Sequence, residues 1–175
     1  SAEVAWQGSG ERGLLCGVPI SLKDSIELEG SATTYGSKAF VNNQQPDSEI
    51  ARRIRREGGI IIGKTNLPEF ALHGAVDNKI SPPGRNPWNL DHTCGGSSGG
   101  AAAAVAMGIV PFAHASDGGG SIERGGGPAL RVGEDRGIAR SPAIKNTKLV
   151  KFMLQEVFGR KSLIYKTRNM LLYHV

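Results

Sequence analysis

Thiols are scarce in this chain of 175 residues: Cys16 and Cys94 are its two cysteines. Two cysteines make no disulfide framework, and theirs form no metal motif. Reduced thiols of a cytoplasmic protein are therefore expected. Aromatic residues make up only 6%. No apolar run approaches ~18 residues, so no membrane-spanning helix is expected. The first residues, Ser1 to Trp6, show no basic stretch leading into an apolar one. No signal peptide is expected there, and the absence of Met reads as a processed or excised start. What the chain does have is glycine, 25 residues of it, beside a hydrophobic share of 39%. That mixture reads as a folded domain with tight turns and close backbone contacts rather than a disordered chain or a large aromatic core.

The formal net charge is +5, but it is unevenly spread. Residues 1–121 hold 10 Lys/Arg against 12 Asp/Glu, whereas residues 122–175 hold 11 against 4. A basic tail can signal contact with nucleic acid or an anionic surface. Here it carries no interleaved aromatics and no reading motif, so nucleic acid is not the expected partner.

Strand and helix patterns alternate along the first 120 residues. Gly17 to Leu22 reads as a short strand ending at Lys23-Asp24. Asp47 to Glu57 reads as a helix, with Asp47 or Ser48 as its N-cap and Gly58 as its stop. Ile50 and Ile54 share one face of it, and Arg52, Arg53, Arg55 and Arg56 fall on a solvated face rather than an anion site. Ile60-Ile-Ile62 reads as a fully buried strand that breaks at Gly63. Pro82 to Pro87 is a turn-rich connector. Gly99 to Met107 is an alanine-rich helix, and Val110 to Ala115 a further strand. Residues 149–158 carry a helical stripe of Val150, Met153, Leu154, Val157 and Phe158, while 163–175 is open between helix and strand. A sheet covered by helices follows, an α/β fold.

Three segments carry chemistry: Gly17 to Asp24 with Lys23, Gly95 to Gly100 with Ser97 and Ser98, and Asp117-Gly-Gly-Gly-Ser121-Ile122. A serine hydroxyl is a weak nucleophile until a base takes its proton. A lysine can be that base when burial disfavours its charge. A second serine can relay the proton between them, so lysine and two serines suffice without His92 or His114. Backbone N–H groups of the glycines before Ser121 can converge on a developing oxyanion. Each segment also has a plainer meaning. Lys23 alone suits a surface, Gly95 to Gly100 a loop or helix start, and Asp117 to Ser121 a tight turn or phosphate cradle. A phosphate-binding P-loop fits poorly. In Gly58 to Thr65 the strand Ile60-Ile-Ile62 occupies the spacer, where it should precede the glycines.

Taken together, in this order and with Ser97 and Ser121 separated by 24 positions, the segments resemble the amidase signature family. The resemblance extends through Gly63-Lys-Thr-Asn-Leu-Pro-Glu-Phe70 and Arg85-Asn-Pro-Trp-Asn-Leu90 and covers about residues 13–122. It implies a mixed sheet with helices on both faces and a Ser-Ser-Lys triad acting on small-molecule amides. Ser121 would be the nucleophile, Ser97 the bridge, held by a cis peptide bond, and Lys23 the base. Gly118, Gly119 and Gly120 would line the oxyanion hole, with Ser98 and Asp117 as structural support. No cofactor and no membrane are implied, and a homodimer stays open. The triple glycine and the run Ala101 to Ala106 lean toward the branch containing 6-aminohexanoate cyclic-dimer hydrolase.

The resemblance stops after Ile122. The family continues with Arg-x-Pro-Ala, whereas this chain has Glu123-Arg124-Gly-Gly-Gly-Pro128-Ala129. The charge split falls at the same place, so we expect an amidase core over 1–122 and a divergent basic segment over 123–175. A shifted reading frame after residue 122 and a divergent C-terminus both account for this. Amide hydrolysis is the expected function. The competing expectations are an inactive fragment that binds a partner and, more remotely, a phosphate-binding module.

Overall fold

The computed structural model describes residues 13–116, Ser121, and the strand backbone at 164–167 and 170–173. Strand β1 (Pro19–Lys23) sits inside a five-stranded sheet with β2 (Ile60–Thr65) on one side and β5 (Phe112–His114) on the other. β7 (Met170–Tyr173) and β6 (Ile164–Thr167) follow, giving the order β2-β1-β5-β7-β6. The pairs β1–β2, β1–β5 and β5–β7 are parallel and β6–β7 is antiparallel, so the sheet is mixed. A separate short hairpin is formed by β3 (Arg85–Asn86) and β4 (Asn89–Thr93).

Helix α1 (Glu49–Arg56) starts where Ser48 accepts the Ala51 N–H through its hydroxyl. Ser48, not Asp47, is thus the cap. The Asp47 carboxylate instead accepts Glu29 N–H and pairs with Arg55 at 2.7 Å. The chain leaves α1 through Gly58 at φ 78°, a backbone angle that suits glycine. Ala51 and Ile54 are buried, while Arg52 and Arg53 pair with Glu49 on the exposed side. The arginines form a solvated face, as expected. Helix α2 (Gly99–Ala106) buries Ala101, Ala102, Val105 and Ala106.

Strand alternation assigns the two helices to opposite faces of the sheet. Ile20 and Leu22 of β1 join Leu15, Ala51 and Ile54 in one core cluster, on the α1 side. Ala113 joins Val76, Cys94, Ala101, Val105 and Val110 in the other, on the α2 side. Ser21 and Lys23, alternating with Ile20 and Leu22, face this second layer. Truncating a buried residue such as Ile54 to alanine costs about 2–5 kcal/mol. Cys94, wholly buried, has its thiol pushed up to about 11 by loss of water, and both cysteines are free.

Three expectations change, and one reading left open is decided. The Ile60-Ile-Ile62 strand is not fully buried: Ile60 is 36% and Ile62 49% exposed. An apolar run is buried on both faces only with cover on both sides, and β2 lies at the edge of the described sheet. Nor does it break at Gly63. It continues to Thr65, a register shift at Ile20/Ser21 absorbing the extra residue. The connector Pro82 to Pro87 contains β3. The ambiguous end, 163–175, supplies two strands. The helix expected at 149–158 and the boundary at 122 lie outside the described residues. Among the described residues no helix is long and apolar enough to cross a membrane.

Candidate active site

Lys23 is the last residue of β1 and is wholly buried. Its position on the alternating strand aims it at the start of α2 rather than at α1. There its Nζ lies 2.8 Å from Ser97 Oγ and 2.9 Å from Ser98 Oγ. A third hydroxyl, Ser116 Oγ just beyond β5, is also 2.9 Å away. Ser121 closes the cluster, its Oγ 3.0 Å from Ser97 Oγ and 2.9 Å from Ser98 Oγ. The Ser98 N–H donates to Ser121 Oγ at 2.9 Å.

The glycines around Ser97 and Ser98 answer to crowding. A Cβ on Gly96 would lie 2.8 Å from Ala75 N and 2.9 Å from His73 O, and one on Gly100 would collide with the Asn66 backbone. Loops 66–78 therefore press directly on the serine segment. The Gly96–Ser97 peptide bond is cis, as the family resemblance implies. Ser98 precedes α2, the position where a serine ordinarily caps the first turn with its hydroxyl. Here the side chain makes no such bond. Its hydroxyl is turned to the cluster instead, donating to the Ser116 carbonyl at 2.9 Å.

The neighbouring charges are held elsewhere. The Asp24 carboxylate takes Lys64 Nζ at 2.7 Å and the Thr34 hydroxyl. Lys64 also donates to Thr33 Oγ1 at 2.7 Å and Ala32 O at 3.1 Å. Asp24, Ala32, Thr34 and Lys64 border a cavity of about 300 Å³, with Ser31, Thr65, Asn66, Asn78, Ile80 and Ser81. Lys23 and its serines do not line it. Tyr35 donates to Glu27, and that bond, with burial, pushes its hydroxyl pKa up. Among the described residues no group of three or more His, Cys, Asp and Glu could hold a metal.

Of the residues singled out in the sequence, Lys23, Ser97, Ser98 and Ser121 come together. Asp117, Gly118, Gly119 and Gly120 lie outside the described residues. His92 is on the exposed strand β4, and Glu69 is exposed in a short 3-10 turn. His114 is buried on β5, where the parallel register carries it beside Leu22, on the face away from Lys23. Ser116 is the member of the cluster that the sequence motifs do not mark. Its one signal is a hydroxyl just past a strand candidate, one residue short of the Asp117-led glycine run.

Fold and site together define an α/β protein with a buried serine–lysine cluster at the end of its inner strand. The family model described as Amidase matches residues 2–124, and the chain belongs to that family. The putative amidase AmiB2 of Mycobacterium tuberculosis (strain ATCC 25618 / H37Rv) is 50% identical over 123 residues, 69% of this chain and 27% of that protein. Among solved structures, the native peptide amidase of Stenotrophomonas maltophilia superposes with a TM-score of 0.51 at 37% identity, over 58% of this chain and 22% of that one. The 6-aminohexanoate cyclic dimer hydrolase, solved with its substrate, gives 0.55 at 34% identity, over 64% and 24%. The chain thus spans about a quarter of the length of the relatives it matches.

Proposed function

We propose that this chain carries the catalytic triad of an amidohydrolase acting on small-molecule amides. One observation carries the proposal: an unbroken hydroxyl path from Ser121 through Ser97 to wholly buried Lys23, with steps of 3.0 and 2.8 Å. Removing a lysine from water disfavours its ammonium form, which suits it to act as a base.

The chemistry runs in two halves. Ser121 Oγ attacks the amide carbon while its proton passes to Ser97 and the Ser97 proton to Lys23 Nζ. The tetrahedral oxyanion is held by backbone N–H groups of Gly118, Gly119 and Gly120. As the C–N bond breaks, Lys23 returns its proton through Ser97 to the leaving nitrogen. An ester on Ser121 remains. Water, deprotonated along the same path, cleaves it to the carboxylate and restores the serine.

Hydrogen counting selects Ser97 over Ser98 as the relay. A serine has one hydroxyl hydrogen. That of Ser98 is given to the Ser116 carbonyl, which can only accept. Ser98 therefore meets Lys23 and Ser121 as an acceptor and holds the Ser121 hydrogen at rest; once the Ser121 hydroxyl turns to Ser97, 3.0 Å away, Ser97 can pass the proton on. Free thiols at Cys16 and Cys94 suit a reducing compartment, and we place the protein in the cytoplasm.

Labelling by a fluorophosphonate tests the proposal. Wild-type chain should be labelled, and Ser121→Ala should not. Folded wild-type protein that resists labelling would favour the second reading, an inactive amidase fragment that binds a partner.

A further inference from the structure

Ser116 stands outside the three residues just given roles, yet its hydroxyl is as near to Lys23 as that of Ser98. A neutral amine nitrogen bonded to Cε has three further directions: two N–H bonds and one lone pair. Three serine oxygens lie around Lys23 Nζ at 2.8 to 2.9 Å. Ser98 must accept, because its hydrogen is on the Ser116 carbonyl. Proton transfer requires the lone pair to meet Ser97. Of the described hydroxyls, Ser116 then takes the second N–H, at 2.9 Å.

We propose that Ser116 is a positioning residue: its hydroxyl accepts one N–H of neutral Lys23 and so turns the lone pair toward Ser97. The same residue holds the acceptor state of Ser98 through its carbonyl, so one residue orients both ends of the lysine's surroundings. This role deepens the hydrolase proposed above and rests on it for its catalytic meaning. A hydrogen bond to the charged form is stronger than one to the neutral form, so Ser116 also supports the ammonium that appears during attack. Among the described residues, Asp24 and His114 do not duplicate this. On β1, Asp24 is bound by Lys64 of β2. On β5, the register places His114 on the far face. From the start of α2, Ser97 and Ser98 bring hydroxyls.

The test follows Lys23 directly in the full chain, by the pH titration of its ¹³Cε NMR resonance, assigned with Lys23→Met. Ser116→Ala should lower the midpoint by about one pH unit, since an acceptor of the ammonium is lost. It should slow fluorophosphonate labelling of Ser121 by at least tenfold, on the order of a general-base contribution. Ser116→Thr, which keeps the hydroxyl, should restore both. If Ser116→Ala does not fold, Ser116→Thr against the near-isosteric Ser116→Val makes the same comparison. An unchanged midpoint in the hydroxyl-free variant overturns the proposal. An unlabelled wild type sinks the hydrolase reading alone, because the titration needs no turnover.

Discussion

Two lysines leave neighbouring strands of one sheet and meet different surroundings. Lys64 of β2 pairs in register with Leu22, on the α1 face, and meets the Asp24 carboxylate. Lys23 of β1 pairs with Thr65, on the α2 face, and meets three serine hydroxyls. A carboxylate locks a lysine as an ammonium, which cannot take a proton. Hydroxyls satisfy the nitrogen while leaving its charge to be decided by burial. The same side chain is thus a strut on one strand and a candidate base on the next.

Exchanging the two roles should separate activity from stability. Lys23→Met should abolish labelling of Ser121 while leaving the fold intact, because the hydroxyls it leaves can bond one another. Lys64→Met takes the cation from the Asp24 carboxylate and leaves it the Thr34 donors, and breaking such a pair costs about 3 kcal/mol. Denaturant titration should show that loss for Lys64→Met. Equal losses of stability for both would erase the distinction between strut and base.

Within the Lys23 cluster, the next comparison is between its two adjacent serines. Ser97→Ala removes the relay and should slow the acylation of Ser121 by roughly 10²–10⁴. Ser98→Ala removes an acceptor and should slow it by about tenfold, the worth of one modest hydrogen bond. Equal rates for the two variants, measured by timed labelling, would mean that either hydroxyl carries the proton. The smallest effect tests the α1 side. Ser48→Ala removes the helix cap and should cost about 1 kcal/mol of stability, with no change in Ser121 labelling.

Much of this is readable from residues. The α1 helix follows from Ser48, from Ile50 and Ile54 four apart, and from Gly58, all local features. Lys23, Ser97 and Ser121 are readable only together, through the family resemblance that the order of their three segments and the 24 positions between Ser97 and Ser121 carry. Ser116 is not, since nothing in the order Ala115-Ser116-Asp117 says that β5 lies beside β1. Its contact with Lys23 spans 93 positions and depends on that pairing. The exposure of Ile60 and Ile62 escapes the sequence for a related reason. An apolar triplet states a preference for burial, but only the strand order says whether cover is present.

By itself, then, the sequence determined the local pieces: the strand that alternates Ile20 and Leu22 with Ser21 and Lys23, the capped helix, and the glycines that permit close approach at Gly96 and Gly100. These depend on period, capping chemistry and side-chain size, which act over a few residues. The tertiary structure decided which lysine meets a carboxylate and which meets hydroxyls. It also diverted Ser98 from capping its helix and brought Ser116 into the cluster. Those outcomes depend on which strands and loops become neighbours, and hydrogen bonds reaching only about 3 Å cannot be assigned until that packing is known.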